Sequence, residues 1–310
     1  MPVVPEHKVM VVGSVNQDII LSVPALPQAG ETVLAVSSRV ATGGKGANQA
    51  VAAARFGAST VFVGSVGSDA ASGELRTALE GEGVQVHTYQ GSLQPSGQAV
   101  VLVDETGENC IVVAQGANAD LPASYVFDCL EDLEAGDVLV IQGEVAQEAI
   151  EAALVAGDAA DSLVILNLAP FRELREEALT KANLIVVNEG EAASLAKSGP
   201  PLSDPAAVAE HIAQTYGCWC VITLGGRGSL VTQGASTVAV PAMQVPVVVD
   251  TTGAGDAFVG VLAARLAEGD DLLMSVRTAT AVAARTVMSL GAQSFPTLQE
   301  LSESFAGPAA

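Results

Sequence analysis

The chain alternates between short apolar runs rich in β-branched residues and longer stretches in which apolar residues recur at helical spacing. The apolar runs predict strands at residues 8–13, 60–66, 137–142, 163–168, 183–188 and 220–225. The helical spacing predicts helices at residues 47–56, 71–83, 145–157, 204–217, 256–269 and 271–291. Because buried strands that alternate with helices are typical of a parallel sheet covered on both faces, the pattern predicts an α/β three-layer sandwich with a central, mostly parallel sheet.

Two segments, residues 18–40 and 97–115, depart from this pattern because apolar and polar residues alternate in them around turns. Such alternation predicts antiparallel strands with one face exposed to water. We expect these strands to form a small β-sheet lid, made of about residues 17–41 and 96–116, on a single α/β domain that spans residues 1–310. Ordinary edge strands of the main sheet are the alternative.

Apolar residues alternate along both lid segments. Ile19, Leu21 and Val23 share one face of the first segment, and Val101 and Val103 share one face of the second. Because a small sheet cannot bury such faces alone, we expect the lids of two subunits to pack against each other in a homodimer.

The composition narrows the class of protein. Hydrophobic residues make up 49% of the 310 residues and charged residues make up 15%, so the chain can bury a sizeable core. The net charge of −22 argues against nucleic-acid partners, which require basic surfaces. No apolar run approaches the ~18 residues of a membrane span, and the first residues carry no signal-peptide pattern. We therefore expect a cytoplasmic protein with no membrane partner.

Several motifs of nucleotide-binding proteins and hydrolases are missing from the sequence. It contains no G-x-x-x-x-G-K-[ST] and no G-x-G-x-x-G after a strand, which disfavours P-loop NTPases and dinucleotide-dependent dehydrogenases. It also contains no G-x-S-x-G and no H-E-x-x-H. The candidate chemistry lies instead in other Gly-rich turns and at the ends of strands.

The first Gly-rich turn, ATGGKGANQA at residues 41–50, opens a predicted helix. Gly43 and Gly44 allow a ligand to approach the backbone closely, and Asn48 can form a hydrogen bond with a hydroxyl group. A simple turn at the start of a helix explains the same residues equally well.

Other polar residues follow the predicted strands. Asn16 and Asp18 come after the first strand and Glu144 after another, where ligands of parallel α/β sheets gather. Asn16 and Asp18 can therefore bind sugar hydroxyls, and a capping or turn role is the alternative. The glycines of TLGGRGSL, residues 223–230, can wrap phosphate groups while Arg227 adds positive charge, and a tight turn between strands is the alternative.

The stretch TTGAGDAF, residues 251–258, combines an anion site with a carboxylate. The amides of Gly253, Ala254 and Gly255 precede a helical pattern, and the amino end of a helix binds anions. Phosphoryl transfer needs donors for the phosphoryl charge and a base for the attacking hydroxyl, and Asp256 can be that base. The alternative is that Asp256 is only a helix N-cap.

Together, GGKGANQAVAA near the amino end and DTTGAGDAF near the carboxyl end resemble the ribokinase branch of the phosphofructokinase-B-type carbohydrate kinase family. The resemblance runs over nearly the whole chain. It implies phosphorylation of D-ribose at O5 by ATP, with Mg²⁺ required. A kinase for a related sugar or a nucleoside (deoxyribose, fructose) is the alternative within the class. A sugar- or nucleotide-binding regulator without catalysis is the alternative outside it.

The resemblance also implies roles for individual residues. Asp256 is the implied base, and Gly253, Ala254 and Gly255 form the implied anion hole. The implied sugar site consists of Asn16, Gln17, Asp18, Gly43, Gly44, Lys45, Gly46, Ala47, Asn48, Glu144 and Asp256. The implied ATP site consists of Asn188, Thr223, Leu224, Gly225, Gly226, Arg227, Gly228, Gly255, Asp256 and Thr280.

The resemblance further implies two metal ions. Glu191 is expected to help bind Mg²⁺ through water. A K⁺ site is expected to use Asp250, which also contacts the sugar, together with Thr252, Thr286, Ser289, Gly291 and Ser294.

Overall fold

The computed structural model describes residues 7–106, 108–197, 199–201 and 203–305. Both ends of the domain predicted for residues 1–310, and residue 107 of the predicted lid, lie outside the described residues. The strands are β1 (Lys8–Val12), β2 (Asn16–Ser22), β3 (Ser37–Gly43), β4 (Ser59–Ser65), β5 (Gln85–Tyr89), β6 (Gly97–Val103), β7 (Asn109–Ala114), β8 (Val138–Gln142), β9 (Leu163–Asn167), β10 (Leu184–Asn188), β11 (Trp219–Thr223), β12 (Ser229–Gln233) and β13 (Ser236–Val240).

The helices lie mostly between the strands of the main sheet and at the carboxyl end. They are α1 (Lys45–Arg55), α2 (Ala71–Gly81), α3 (Ala123–Cys129), α4 (Gln147–Ala159), α5 (Glu176–Leu179), α6 (Glu189–Ala196), α7 (Pro205–Tyr216), α8 (Ala254–Ala267), α9 (Leu272–Thr286) and α10 (Leu298–Phe305). Local chemistry explains several boundaries. The side chain of Asp204 accepts a hydrogen bond from the Ala207 amide at the start of α7, and that of Asp271 does the same for Met274 at the start of α9. No described helix combines the length and the apolar character that a bilayer crossing requires.

The main sheet of the described residues has the strand order β13-β12-β11-β10-β9-β8-β1-β4-β5. Strands β11 to β5 in this order run parallel, and β12 and β13 are antiparallel additions at one edge. All the strands predicted from apolar runs are confirmed. The strands β5, β12 and β13 escaped prediction because polar residues interrupt their apolar runs. Of these three, β5 and β13 lie at the two edges of the sheet.

The main sheet is covered on both faces, so the predicted three-layer sandwich is confirmed. Val9 and Val11 of β1 pack in one core cluster, with α1, α2, α8 and α9. Met10 and Val12 of the same strand pack in a second cluster, with helices α3 to α7. Successive side chains of a buried strand thus enter opposite cores, which is why these strands are apolar without interruption.

A second sheet has the order β3-β2-β6-β7 and is called the small sheet below. It corresponds to the predicted lid: β2–β3 and β6–β7 are antiparallel pairs, and the parallel pair β2–β6 joins them. Ile19 and Leu21 share one face of this sheet, and Val101 and Val103 share one face, as the alternation predicts. Ile19 pairs with Val100, so Ile19 and Val101 lie on opposite faces of the sheet. Val23 lies beyond the end of β2 and is buried.

Candidate active site

The start of α8 lies at the centre of the candidate site. Its N-cap is Gly253, with φ of 80°, and a Cβ atom there would lie 2.1 Å from the Ala292 carbonyl oxygen. A Cβ atom on Gly255 would meet no atom within 4 Å. The first amides of a helix have no partner within it, so this turn presents donors to a ligand. Asp256 lies in the first turn and is not the N-cap, so the capping alternative is wrong.

Two consecutive side chains of α1 hold the carboxylate of Asp256. Asn48 Nδ2 donates to Oδ2 at 2.9 Å, and Gln49 Nε2 donates to Oδ1 at 3.0 Å. Asp256 is only 7% exposed. Because each oxygen has its own donor, the orientation of the carboxylate is set by α1, whose start is separated from α8 by some two hundred residues.

A cavity of about 290 Å³ opens beside Asp256 and is called the acidic cavity. Its polar lining includes residues predicted to bind the sugar: Asn16, Asp18, Gly44, Lys45, Asn48, Glu144 and Asp256. Its apolar lining comes from the small sheet and includes Ala99, Val101, Ile111 and Val113. The small sheet therefore covers the cavity with one face, which explains why Val101 is buried.

The other residues predicted for the sugar site lie beside the acidic cavity or behind it. Gln17 points to the opposite face of the small sheet from Asn16 and Asp18, because side chains alternate along β2. A Cβ atom on Gly43 would lie 2.0 Å from the Asp18 carboxylate. Gly46 packs against the backbone of Gly13, and Ala47 is fully buried. These three small residues support the cavity without lining it.

Glu144 and Asn16 line the cavity and also accept hydrogen bonds from other residues of the protein. Glu144 Oε2 accepts hydrogen bonds from the Lys45 amide at 3.0 Å and from Ser14 Oγ at 2.5 Å. Asn16 Oδ1 accepts from Asn118 Nδ2 at 2.8 Å. Ser14 and Asn118 were not predicted. Asn118 lies in a 3₁₀ turn about a hundred residues from Asn16, and nothing in the local pattern points to it.

Asp18 is a buried residue of the acidic cavity whose carboxylate has an acceptor atom left for a ligand. Its Oδ1 atom is buried and has no hydrogen-bond partner among the described residues. Burial raises the pKa of Asp18 to about 7; the nearby carboxylates of Glu144 and Asp256 add to the shift and Arg39 opposes it. Near neutral pH this side chain can therefore accept a hydrogen bond from a hydroxyl group or donate one to it.

Lys45 supplies positive charge among these carboxylates. The Asp256 carboxylate raises the pKa of Lys45 above its usual value, burial opposes the shift, and Glu144 and Glu191 add to it. Lys45 therefore stays charged and offers a fixed cation close to Asp256. Such a cation stabilises negative charge that develops in a reaction.

A second cavity, of about 470 Å³, lies on the other side of the first turn of α8 and is called the apolar cavity. Its walls include Met243, Val245, Val248, Ala283 and Val287. Four of the predicted nucleotide-site residues in the 223–228 turn, Thr223, Gly225, Gly226 and Gly228, line it with Thr280. That turn also joins the antiparallel strands β11 and β12, as the tight-turn alternative predicts.

The first turn of α8 is shared by the two cavities. Thr251 lines both of them. Ala254 and Gly255 line the apolar cavity, whereas Gly253 and Asp256 line the acidic cavity. The candidate anion site therefore lies where the two cavities meet.

Three residues predicted for the nucleotide site have structural partners outside the apolar cavity. Arg227 Nη2 forms an exposed ion pair with Glu189 Oε1 at 2.5 Å. Leu224 packs against the second core cluster. Asn188 caps α6: its Oδ1 accepts from the Glu191 amide at 2.9 Å, and Glu191 Oε2 accepts from the Asn188 amide at 2.8 Å.

The residues predicted to bind K⁺ form one connected group. Asp250 accepts hydrogen bonds from the amides of Thr252 and Gly291, both at 2.9 Å. The Thr286 carbonyl accepts from Ser294 Oγ at 3.3 Å and from the Ser289 amide at 3.2 Å.

The chemistry of this group fits a hard monovalent cation. Burial acts to raise the pKa of Asp250, but hydrogen bonds from Thr252 and Gly291 outweigh it and hold the pKa below its usual value. The donor set is then one carboxylate among hydroxyl and carbonyl oxygens, which are hard ligands. No cluster of three or more His, Cys, Asp or Glu side chains suited to a metal occurs in the part of the chain that is described.

Comparison with known proteins agrees with this geometry. A model of the pfkB family of carbohydrate kinases matches residues 6–299. The ribokinase of Bacillus subtilis (strain 168) is 37% identical over 298 residues, which cover 96% of this chain and 99% of that protein. The ribokinase structure from Thermotoga maritima is 31% identical, with 97% of this chain and 100% of that chain covered and a TM-score of 0.86.

A further similar structure is that of Arabidopsis thaliana ribokinase complexed with ribose and ATP. It is 29% identical, with 96% of this chain and 98% of that chain covered and a TM-score of 0.82. The chain described here belongs to the pfkB family of carbohydrate kinases and is a sugar kinase.

Proposed function

We propose that this sugar kinase transfers the γ-phosphoryl group of ATP to O5 of D-ribose in the cytoplasm. The observation that carries the proposal is the position of the first turn of α8. Asp256 faces the acidic cavity from this turn, and Ala254 and Gly255 face the apolar cavity. A similar protein, the Arabidopsis ribokinase, has been observed with both ribose and ATP, which supports the same pair of ligands here.

Each cavity has the chemistry for one substrate. Carboxylate and amide groups in the acidic cavity, with the unpartnered Oδ1 of Asp18, suit the hydroxyl groups of a sugar. The apolar walls of the other cavity suit an adenine base, and its glycines allow phosphates to approach the backbone. ATP is then bound with its γ-phosphate toward Gly255.

The proposed reaction uses few groups. Asp256 accepts the proton of the O5 hydroxyl while O5 attacks the γ-phosphorus. The bond from that phosphorus to the β–γ bridging oxygen breaks, and ADP leaves. The amides of Gly253, Ala254 and Gly255 bind the transferring phosphoryl oxygens, and Lys45 adds positive charge nearby.

Two metal ions complete the proposal. Mg²⁺, when bound, neutralises phosphate charge; Glu191 would hold it through water. Burial raises the pKa of Glu191, and the hydrogen bond from the Asn188 amide and the charge of Lys45 act against this rise. K⁺ would be held by Asp250 with oxygens of Thr252, Thr286, Ser289, Gly291 and Ser294, the connected oxygen group described above.

A coupled ADP-release assay across D-ribose, deoxyribose, fructose and adenosine tests the function, and NMR of the product locates the phosphate. We expect D-ribose to give the highest kcat/KM and ribose 5-phosphate to be the product. A higher kcat/KM for another acceptor would overturn the substrate assignment. Ribose binding without ADP release would favour the alternative of a sugar-binding regulator that does not catalyse phosphoryl transfer.

We further propose a homodimer in which the small sheets of two subunits pack together through their outer faces. Ile19, Val100 and Val112 are neighbours on this face, and Val112 is 66% exposed. Val112→Lys should convert a dimer into a monomer in sedimentation at micromolar concentration. The matched control is Val155→Lys at a half-exposed position of α4, which should stay dimeric. A monomeric wild-type protein would refute the proposal.

A further inference from the structure

We propose that Gln49 is a positioning residue that holds the Asp256 carboxylate in its reactive orientation through a chain of buried side-chain amides. This inference rests on the proposed function, in which Asp256 is the base. Gln49 is not among the residues that the family resemblance implies for the site. It is fully buried and lies behind Asp256, outside the lining of the acidic cavity.

The hydrogen bonds of Gln49 connect Asp256 to two strands of the main sheet. Its Nε2 atom donates to Asp256 Oδ1 and to Asn167 Oδ1, both at 3.0 Å. Its Oε1 atom accepts from Gln142 Nε2 at 2.7 Å. Asn167 ends β9 and in turn donates from Nδ2 to the Val186 carbonyl at 3.0 Å. Gln142 ends β8 and is also fully buried.

The two ends of this chain determine the direction of every amide in it. The Val186 carbonyl and the Asp256 carboxylate can only accept hydrogen bonds. Asn167 must therefore turn its amino group to Val186 and its oxygen to Gln49. Gln49 must then turn its amino group to both Asn167 and Asp256. A flipped Gln49 would place its fully buried oxygen against two acceptors, which is costly.

This arrangement fixes the base from the side that the substrate does not reach. Asn48 holds Oδ2 from the cavity side and is itself bonded to Gln293 Nε2 at 3.1 Å. Gln49 holds Oδ1 from the core side. A base has to point at the hydroxyl of its substrate, and a misplacement of about 1 Å can cost about 100-fold in rate. Gln49 thus links the geometry of the reaction to the rigid main sheet.

The direct test is Gln49→Met, which keeps the length of the side chain and removes its hydrogen bonds. We expect kcat to fall about 10- to 100-fold. The affinity for ribose without nucleotide, measured by calorimetry, should stay within about twofold, since Gln49 does not line the cavity. A kcat within about twofold of the wild type, or a loss of ribose affinity as large as the loss of kcat, would overturn the proposal.

The matched control is Thr232→Val in β12. Thr232 is also fully buried and polar, and its hydroxyl pairs with that of Thr237 at 2.9 Å, away from both cavities. The Thr232→Val variant should have a lower free energy of unfolding than the wild type and an unchanged kcat. If Thr232→Val lowers kcat as much as Gln49→Met, the effect is one of general destabilisation and the proposal falls.

A second variant keeps the test valid if Gln49→Met does not fold. Gln49→Glu has the same shape and puts a second carboxyl group 3.0 Å from Asp256 Oδ1. The charges of Lys45 and Asp18 interact with that of Asp256, and these two residues and Glu144, which also faces the acidic cavity, are unchanged in this variant. Because two adjacent carboxyl groups resist joint ionisation, the acid limb of the kcat–pH profile should move to higher pH. An unmoved limb would contradict the proposal.

A double-mutant cycle separates this inference from the proposed function. If Gln49 acts through Asp256, then Gln49→Met should cause no further loss in an Asp256→Asn background. An equal fold-loss in both backgrounds would show that Gln49 acts elsewhere. If Asp256→Asn alone keeps wild-type turnover, the proposed base is wrong, whatever Gln49 does.

Discussion

Two Gly-rich helix starts meet at this site, and they use glycine for opposite reasons. At the start of α1, a Cβ atom on Gly44 or Gly46 would lie 2.7–2.9 Å from backbone atoms of residues 13–15. At the start of α8, a Cβ atom on Gly255 would meet nothing within 4 Å. The first glycines let two backbone segments touch, whereas Gly255 leaves an amide open to a ligand. Similar composition therefore serves packing in one motif and, as proposed, binding in the other.

The largest effect that this comparison predicts is at Asp256, which joins the two helix starts. Asp256→Asn removes the base but keeps the size of the side chain, so turnover should fall about 10²- to 10⁴-fold. Ribose affinity should change little, whereas thermal stability should fall, because one amide nitrogen of the new side chain then faces a donor of Asn48 or Gln49. Single-turnover kinetics with calorimetry checks this. Near-wild-type turnover would leave Asp256 with a structural role only.

Alanine at the two kinds of glycine should separate packing from catalysis. Gly46→Ala places a methyl group against the Gly13 backbone, and overpacking of this kind costs about 1–3 kcal/mol of unfolding free energy. Gly255→Ala should raise helix stability by about 0.5–1 kcal/mol. Its methyl group, however, enters the apolar cavity and should lower kcat/KM for MgATP about 10- to 100-fold.

Denaturant unfolding and steady-state kinetics on both variants check this pair. If Gly255→Ala proved as destabilising as Gly46→Ala, the claim that glycine serves packing only at the start of α1 would be wrong. If Gly255→Ala kept full activity, the claim that Gly255 serves ligand binding would be wrong.

The start of α8 also differs from that of α1 in its proposed cation. In buffers of equal ionic strength, with saturating ribose and MgATP, K⁺ should raise turnover several-fold over Na⁺ because it adds positive field near the Gly253–Gly255 amides. Asp250→Ala should remove this dependence. Equal rates of the wild type in the two buffers would leave Asp250 without a cation role.

The smallest predicted effect concerns Asp18 of β2, whose carboxylate lies in the acidic cavity next to the start of α1. The pKa of Asp18 is about 7 in the folded protein against an ordinary value of 3.8. Its ionisation therefore opposes folding: the stability present below about pH 4 is lost as the pH rises through 7. Asp18→Asn should raise the melting temperature by about 2 °C or more at pH 8 and by less at pH 5. Calorimetry at both pH values measures the two melting temperatures. A larger gain in melting temperature at pH 5 than at pH 8 would contradict the raised pKa of Asp18.

Much of the fold was predictable because its strands are buried on both faces and leave uninterrupted apolar runs. The edge strands β5 and β13 were missed because most of their residues are at least partly exposed, and β12 was missed because Ser229, Thr232 and Gln233 interrupt its apolar run. The helix α6 was missed because its apolar pattern is short, although Asn188 and Glu191 have the spacing of a capping box. The lid segments were predicted, but not the parallel pairing of β2 with β6 that places Ile19 and Val101 on opposite faces.

The sequence by itself determined what depends on neighbours along the chain. The turn that starts α8 at Gly253 and puts Asp256 in the first turn of the helix is local, and so it was predictable. Only the tertiary structure decided which distant groups hold that carboxylate. Gln49 lies 207 residues from Asp256, and its bonds to Asn167 and Gln142 depend on how α1 docks against β8 and β9. Periodicity along a chain records which face of an element is buried, but not which polar side chain of another element meets it there.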